Sequence, residues 1–227
     1  MRIDSVIFDF DGTLADSEPN YYEADRLLMA EYGIDFTFEM KKEFIGRGNS
    51  GMMKTLHERY NLPSSVEDMI RRKNQLYLEI ALKNTPIYPE MLAFIKMLVS
   101  ECVPIAIASG TSSSILNRLV DHLNLRKYFD AVISSDDVGK SKPNPDIFLK
   151  AAEKLHSQPE NCLVVEDSVF GIEAGLNAGM QVMAIPYLTD TPLDEAFFKS
   201  DILFQQGHAE FTAKKAMTWF ESRYLQK

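Results

Sequence analysis

The sequence predicts an α/β fold, in which a doubly wound parallel sheet carries an inserted α-helical domain. Short apolar runs recur along the chain, and they are continuous rather than alternating, as in strands that a parallel sheet buries on both faces. Between most of these runs, apolar residues recur three or four positions apart, which is typical of amphipathic helices. Strands that alternate with helices in this way form a doubly wound layer.

The predicted elements follow one another along the chain with one long interruption. The predicted strands cover residues 6–8, 103–108, 131–133, 162–165, 182–185 and 202–204. The helices that alternate with them cover residues 91–101, 114–124, 145–156 and 169–178. After the first strand, the segment 17–86 has no convincing strand and instead has helical stretches at 21–32, 52–60 and 66–83. We therefore expect two domains, an α/β core made of residues 1–16 and 87–227 and a helical insert made of residues 17–86.

Composition and charge exclude several kinds of partner. The chain has 227 residues, 45% of them hydrophobic, and a net charge of −9 without a block of Lys or Arg. Such a field repels nucleic acid and anionic membranes, so we expect neither as a partner, and a small charged substrate needs a local basic site. We expect no disulfide framework from the two cysteines and no signal peptide at the N-terminus, and no apolar run approaches membrane-spanning length. We expect a cytoplasmic protein that is a monomer or a weak dimer.

Two aspartates stand at the end of the first predicted strand. Asp9 and Asp11 are two positions apart in an extended segment, so their side chains start on the same side, and Gly12 permits a sharp turn directly after them. Two neighbouring carboxylates repel each other unless one is protonated or a cation joins them, and Mg²⁺ fits such oxygen ligands. An ordinary Asp-Gly turn is the alternative interpretation. A calcium-binding EF-hand loop is excluded, because it needs glycine where this chain has Leu14.

Three further stretches near strand ends carry groups that can bind phosphate or metal. The second strand ends in the sequence SGTS at 109–112, where small hydroxyl residues ahead of a helix form either an anion site or an ordinary helix cap. Lys142 precedes a proline and a helix, where it can hold a phosphate or remain solvated in a loop. Glu166 and Asp167 form another acidic pair at a strand end. The carboxyl ends of parallel strands meet at one edge of the sheet, so the four groups together favour a functional site.

These four stretches resemble, in order and spacing, the four motifs of the haloacid dehalogenase superfamily. The matching sequences are FDFDGT at 8–13, SGTS at 109–112, KPNPD at 142–146 and VVEDS at 164–168. The resemblance covers nearly the whole chain and implies a Rossmann-like core. The helical insert resembles the small cap of the branch that contains β-phosphoglucomutase and sugar-phosphate phosphatases.

The resemblance also implies a role for each matching residue. Asp9 is then the nucleophile that forms an aspartyl-phosphate, and Asp11 is the general acid and base. The phosphoryl oxygens are held by Ser109, the N–H of Gly110 and Lys142. The implied cofactor is Mg²⁺, and its ligands are Asp9, Asp11 through its carbonyl oxygen, Asp167, and Glu166 either directly or through water.

Three residues of the insert are candidates for substrate contact. Gly46 and Arg47 lie in a loop that could face the active site, and a plain surface loop is the alternative. Lys73 resembles a substrate-facing cap lysine of this branch, with a solvated helix face as the alternative. The histidines at 57, 122, 156 and 208 are dispersed without metal-ligand spacing, so we interpret all four as structural or exposed.

The first motif narrows the implied reaction to phosphoryl transfer on a small phosphorylated metabolite. Haloacid dehalogenases and phosphonate hydrolases of this superfamily lack the second aspartate, which is present here as Asp11. Tyr21 stands where β-phosphoglucomutase has a histidine, and a tyrosine with a pKa of about 10 shares no proton at neutral pH. Asn49 stands where the mutase has a phosphate-gripping arginine, although Arg47 could substitute.

We therefore predict a Mg²⁺-dependent phosphatase for a small sugar or polyol phosphate. A phosphohexomutase of the β-phosphoglucomutase type is the main alternative, because both reactions share the aspartyl-phosphate step. A non-catalytic protein that binds a phosphorylated metabolite is a further alternative, and the intact set of Asp9, Asp11, Lys142 and Asp167 argues against it.

Overall fold

The computed structural model describes residues 2–44, 49–189 and 192–224 of the chain. The chain divides into two compact units, one made of Met1–Asp16 with Ile87–Lys227 and the other of Ser17–Pro86. We call the first the α/β unit and the second the helical unit. None of the helices in the described ranges is long and apolar enough to cross a membrane.

Six parallel strands form the sheet of the α/β unit, in the order β3-β2-β1-β4-β5-β6. The strands are β1 (Ser5–Phe8), β2 (Ile105–Ala108), β3 (Ala131–Ile133), β4 (Cys162–Glu166), β5 (Gln181–Ala184) and β6 (Ile202–Leu203). The α-helices are α1 (Glu18–Ala30), α2 (Phe38–Lys42), α3 (Asn49–Tyr60), α4 (Val66–Asn84), α5 (Pro89–Ser100), α6 (Ser113–His122), α7 (Asp146–Lys154), α8 (Val169–Asn177) and α9 (Ala213–Glu221). The predicted α/β fold with a parallel sheet is confirmed.

Strand β1 lies inside the sheet, with β2 on one side and β4 on the other. Every residue of these three strands is buried, which explains why their sequences are continuous apolar runs. Phe8 pairs in register with Ile107 of β2 and Val165 of β4. Asp9, which follows β1, and Glu166, the last residue of β4, therefore stand at the same level of the carboxyl edge of the sheet.

Two differences from the predicted elements have local causes. Strand β2 starts at Ile105 because Pro104 has no N–H for the sheet ladder, and the N–H of Val103 instead bonds back to the end of α5 at 3.0 Å. Helix α2 could not be predicted from the sequence, since five residues are too few to show a hydrophobic period. Thr37 caps this helix, and its side chain accepts a hydrogen bond from the N–H of Met40 at 3.4 Å.

A buried ion cluster joins three helices of the helical unit. Asp25 of α1 is fully buried, with Oδ2 2.9 Å from Nζ of Lys41 in α2 and Oδ1 2.5 Å from Nζ of Lys73 in α4. Burial lowers the pKa of Lys73, and the nearby Asp25 opposes this effect. Both ammonium groups also face the ring of Tyr21, which stacks on Tyr77 with the ring centroids 3.9 Å apart. The cluster therefore anchors α2 and α4 on α1.

We expect Asp25→Asn to lower the free energy of unfolding of the helical unit by about 3–5 kcal/mol, because it keeps the side-chain volume but removes the carboxylate that Lys41 and Lys73 share. Urea unfolding followed by far-UV circular dichroism measures this loss. Glu23→Gln is the matched control on the same helix, since Glu23 pairs with Arg26 in an exposed contact, and it should leave the unfolding midpoint nearly unchanged. Equal midpoints for the two variants would contradict a structural role of the cluster.

Candidate active site

The turn after β1 places the first acidic pair at the carboxyl edge of the sheet. The N–H of Asp9 donates to the carbonyl of Val165 in β4 at 3.0 Å, and the N–H of Gly12 closes the turn onto the carbonyl of Ala15 at 2.9 Å. Gly12 has a φ of +78°, and a Cβ at this position would overlap with the carboxylate of Asp167. Only glycine fits here, so the side chain of Asp167 lies directly against this turn.

Lys142 connects the ends of β1, β2 and β4. Its Nζ donates to Oδ1 of Asp9 at 2.5 Å, to Oε1 of Glu166 at 2.7 Å and to the carbonyl of Ala108 at 3.3 Å. Burial alone would lower the pKa of Lys142, but Asp9 and Glu166 outweigh that effect and raise it. Lys142 is therefore a fixed positive charge at the edge where the sequence predicts a phosphate site.

Glu166 is fully engaged by donors of the protein. Besides Lys142 on Oε1, its Oε2 accepts from the N–H groups of Asp167 and Ser168, both at 2.8 Å, and from the hydroxyl of Ser168 at 3.0 Å. A Cβ at Gly171 would overlap with this carboxylate, so a glycine in the first turn of α8 makes room for it. Both carboxylate oxygens of Glu166 thus accept hydrogen bonds from the protein itself.

The hydroxyl groups that follow β2 hold the second aspartate. Ser109 and Thr111 both donate to Oδ2 of Asp11, at 3.2 Å and 2.7 Å, and the N–H of Thr111 donates back to Oγ of Ser109 at 3.0 Å. Gly110 lies between them and is exposed. The stretch 109–111 thus orients Asp11 as well as presenting small groups at the predicted phosphate site.

Burial, followed by the neighbouring charges, sets the pKa of Asp9. Burial raises its pKa, Lys142 lowers it, and Glu166 and Asp11 raise it again, to about 8. A further cation beside Asp9 would favour its ionised form. The electrostatics of this edge therefore suit a site that works with a bound cation.

The oxygen atoms at this edge fit Mg²⁺. Oδ1 of Asp9 accepts from Lys142, and no donor within the described ranges bonds to its Oδ2. Asp167 lies against the same turn, and its Oδ1 accepts from the hydroxyl of Thr13 at 3.1 Å. No three His, Cys, Asp or Glu side chains in the described part of the chain are grouped so as to hold a metal by themselves. Two carboxylates that share the ion with water and substrate oxygens are a typical Mg²⁺ site.

Comparison with known proteins identifies the family of the chain. A family model described as haloacid dehalogenase-like hydrolase matches residues 6–185. The chain belongs to this family. A phosphorylated carbohydrates phosphatase of Thermotoga maritima is 34% identical to this hydrolase over 79% of this chain and 83% of the relative. Fructose-1-phosphate phosphatase YqaB of Escherichia coli is 32% identical over 82% of this chain and 98% of the relative.

Solved structures agree with the family. A mutant of CbbY from Rhodobacter sphaeroides, in complex with xylulose-(1,5)bisphosphate, is 25% identical to the hydrolase and superimposes with a TM-score of 0.79 over 92% of this chain and 96% of that one. A β-phosphoglucomutase of Clostridium difficile also gives a TM-score of 0.79, over 97% of this chain and 98% of that one, at 23% identity. At 23% identity, the likeness to the β-phosphoglucomutase is evidence of a shared fold alone.

The structure of the hydrolase brings many of the predicted site residues together at the carboxyl edge of the sheet. The residues in contact at the sheet edge are Asp9, Asp11, Ser109, Lys142, Glu166 and Asp167. Gly46 and Arg47 lie outside the described residues. Lys73 is buried and bound to Asp25 inside the helical unit. It therefore does not lie on a solvated helix face, which was the alternative interpretation of this residue.

Three contacts at this edge could not be predicted from the sequence. Thr13 and Thr111 stand inside the recognised motifs, but the sequence does not show which carboxylate each hydroxyl bonds to. The carbonyl of Gly12 is contacted by His208, which is 196 positions away in the chain. No local pattern in the sequence indicates a contact over that separation.

We expect Gly171→Ala to destabilise the hydrolase by about 2–4 kcal/mol, because the added Cβ displaces Glu166 and weakens its hold on the buried Lys142. Gly51→Ala in α3 is the matched control, since a Cβ there meets nothing within 4 Å. In that open helical position alanine should stabilise by about 0.5–1 kcal/mol. Thermal unfolding of both variants measures the effects, and the same sign for both would contradict the close packing of Glu166.

Proposed function

We propose that this hydrolase is a Mg²⁺-dependent phosphatase that acts on a small sugar or polyol phosphate through an aspartyl-phosphate. The observation that carries the proposal is the placement of Asp9, whose buried carboxylate is held by Lys142 beside a second aspartate. That second aspartate, Asp11, is itself oriented by two hydroxyl groups. The names of the relatives that act on phosphorylated carbohydrates and on fructose 1-phosphate support the same substrate class.

The proposed reaction has two steps that use the same residues. A carboxylate oxygen of Asp9 forms a bond to phosphorus while the bond from phosphorus to the sugar oxygen breaks, and Asp11 gives a proton to that leaving oxygen. Asp11 then takes a proton from a water molecule, whose oxygen bonds to phosphorus as the bond to Asp9 breaks. Inorganic phosphate leaves and both aspartates return to their starting state.

In both steps, positive charge from the protein has to balance the negative charge of the phosphoryl group. Lys142 is fixed by Asp9 and Glu166, so its positive charge already stands beside the attacking carboxylate, and a preorganised charge of this kind lowers a barrier effectively. Mg²⁺ held by Asp9 and Asp167 would supply further positive charge next to the phosphoryl oxygens. We assign the Gly110 N–H to the phosphate as a further donor, together with the Ser109 hydroxyl, which would have to turn from Asp11 to the phosphate.

Tyr21 favours hydrolysis over the mutase alternative. Its ring is stacked on Tyr77 at an interplanar angle of 9° and lies near the ammonium groups of Lys41 and Lys73. A phenol in this place offers no imidazole for proton exchange at neutral pH. A mutase also has to keep water from the aspartyl-phosphate while a bisphosphate turns around, and we propose that water is the acceptor here.

A panel of phosphorylated sugars and polyols with Mg²⁺ tests the function. We expect release of inorganic phosphate from at least one member of the panel. One arm contains β-glucose 1-phosphate with catalytic glucose 1,6-bisphosphate. Rapid formation of glucose 6-phosphate with little free phosphate in that arm would establish the mutase instead, and binding without turnover across the whole panel would establish a non-catalytic protein.

Asp9→Asn should lower phosphate release by about 10³-fold or more, because the amide cannot attack phosphorus although it has almost the same shape as the carboxylate. The thermal unfolding midpoint of this variant shows whether the fold is kept. Substantial turnover by a folded Asp9→Asn protein would rule out Asp9 as the nucleophile.

Removal of divalent metal should abolish phosphate release, and added Mg²⁺ should restore it, since the proposed ligands share the ion with substrate oxygens. Ca²⁺ should inhibit, because its larger and looser coordination shell misplaces the nucleophile. The measurement is phosphate release in excess chelator, followed by titration with each ion. Full activity in the chelator would contradict the proposed metal site.

A further inference from the structure

The C-terminal part of the α/β unit contacts the turn that carries the acidic pair. Nε2 of His208 lies 2.8 Å from the carbonyl oxygen of Gly12. His208 belongs to a short 3₁₀ turn, Gly207–Ala209, which follows β6. A carbonyl oxygen can only accept, so the imidazole has to carry a proton on Nε2 and donate it.

The imidazole is held in this orientation from two sides. Its ring stacks on Tyr88, with the centroids 3.4 Å apart and an interplanar angle of 12°, and Phe211 meets it edge-on at 6.3 Å. Gly207 has a φ of +56°, and a Cβ there would overlap with the carbonyl of Pro186, so this turn lies tightly against the segment after β5. Burial lowers the pKa of His208, although the Gly12 carbonyl and Asp16 oppose the effect. The ring is thus a rigid donor.

The Gly12 carbonyl belongs to the peptide that joins Gly12 to Thr13, so a donor on this oxygen fixes the plane of that peptide. The hydroxyl of Thr13 donates to Oδ1 of Asp167 at 3.1 Å. The carboxylate of Asp167 also lies against Gly12 itself. Through the Gly12–Thr13 peptide, His208 therefore supports two features of the site. One is Thr13, which orients Asp167, and the other is the turn directly after Asp11.

We propose that His208 is a positioning residue for phosphoryl transfer, which holds the Gly12–Thr13 peptide and thereby the geometry of Asp11 and Asp167. The inference rests on the proposed phosphatase function. His208 touches neither the reacting atoms nor the predicted metal ligands. The competing interpretation is that it only fills space beside Tyr88.

Two substitutions separate the hydrogen bond from the packing. His208→Phe keeps a flat ring on Tyr88 but removes the donor. His208→Gln removes the ring but keeps an N–H donor at about the reach of Nε2. We expect His208→Phe to lower kcat by about 10- to 100-fold with little change in KM, because small misplacements of catalytic groups cost that much. His208→Gln should keep kcat within about 3-fold of the wild type despite the lost stacking.

Hydrogen–deuterium exchange gives a readout that does not depend on activity. The segment 9–16 should exchange faster in His208→Phe than in the wild type, because the turn has lost a restraint, while His208→Gln should stay close to the wild type. Thermal unfolding of all three proteins shows that the comparison is between folded molecules.

The outcomes distinguish this inference from the proposed function. If the wild-type protein releases no phosphate from any substrate, the proposed function is refuted, and so is the catalytic part of the inference. The exchange data then still decide whether His208 holds the turn. An active wild type with equal kcat in His208→Phe overturns the inference alone. Higher kcat in His208→Phe than in His208→Gln also overturns it, since the stacked ring would then be the part that matters.

Discussion

The buried ammonium of Lys142 is the constraint on which the site depends. Asp9 and Glu166 leave neighbouring strands at the same level, and without a positive charge between them their carboxylates would repel each other. Lys142 also bonds to the main chain of β2, so one side chain joins three strands. Removing Lys142 would leave two buried carboxylates without their counter-charge, which is why the site and the stability of the sheet edge are tied together.

Much of the fold and part of the site could be predicted from the sequence. Continuous apolar runs predict strands buried on both faces, and a parallel sheet necessarily gathers their carboxyl ends, so the meeting of Asp9, Lys142 and Asp167 follows from topology. The sequence cannot show how hydrogen bonds are distributed among the groups that meet there. Both oxygens of Glu166 are taken up by protein donors, and the donor on the Gly12 carbonyl comes from the other end of the chain.

Charged residues inside the helical unit limit what hydrophobic patterns reveal. Charged residues of a helix are normally expected to face solvent. Asp25 in α1 and Lys41 in α2 are nevertheless buried. They compensate each other across α1 and α2, which are separated in sequence by a loop. The hydrophobic pattern of one helix contains no information about the other helix. It therefore cannot show that two charged side chains, each costly to bury alone, can be buried together as an ion pair.

The strand order has a consequence for how the protein is made. β1 is synthesised first but lies inside the sheet, and its partners β2 and β4 follow only after the helical unit has left the ribosome. Asp9 and Lys142 are 133 positions apart, so the nascent chain exposes an apolar strand and an acidic pair long before their counter-charge exists. Contacts of such long range fold slowly, and the interval before β4 emerges is the period in which this chain needs protection from aggregation.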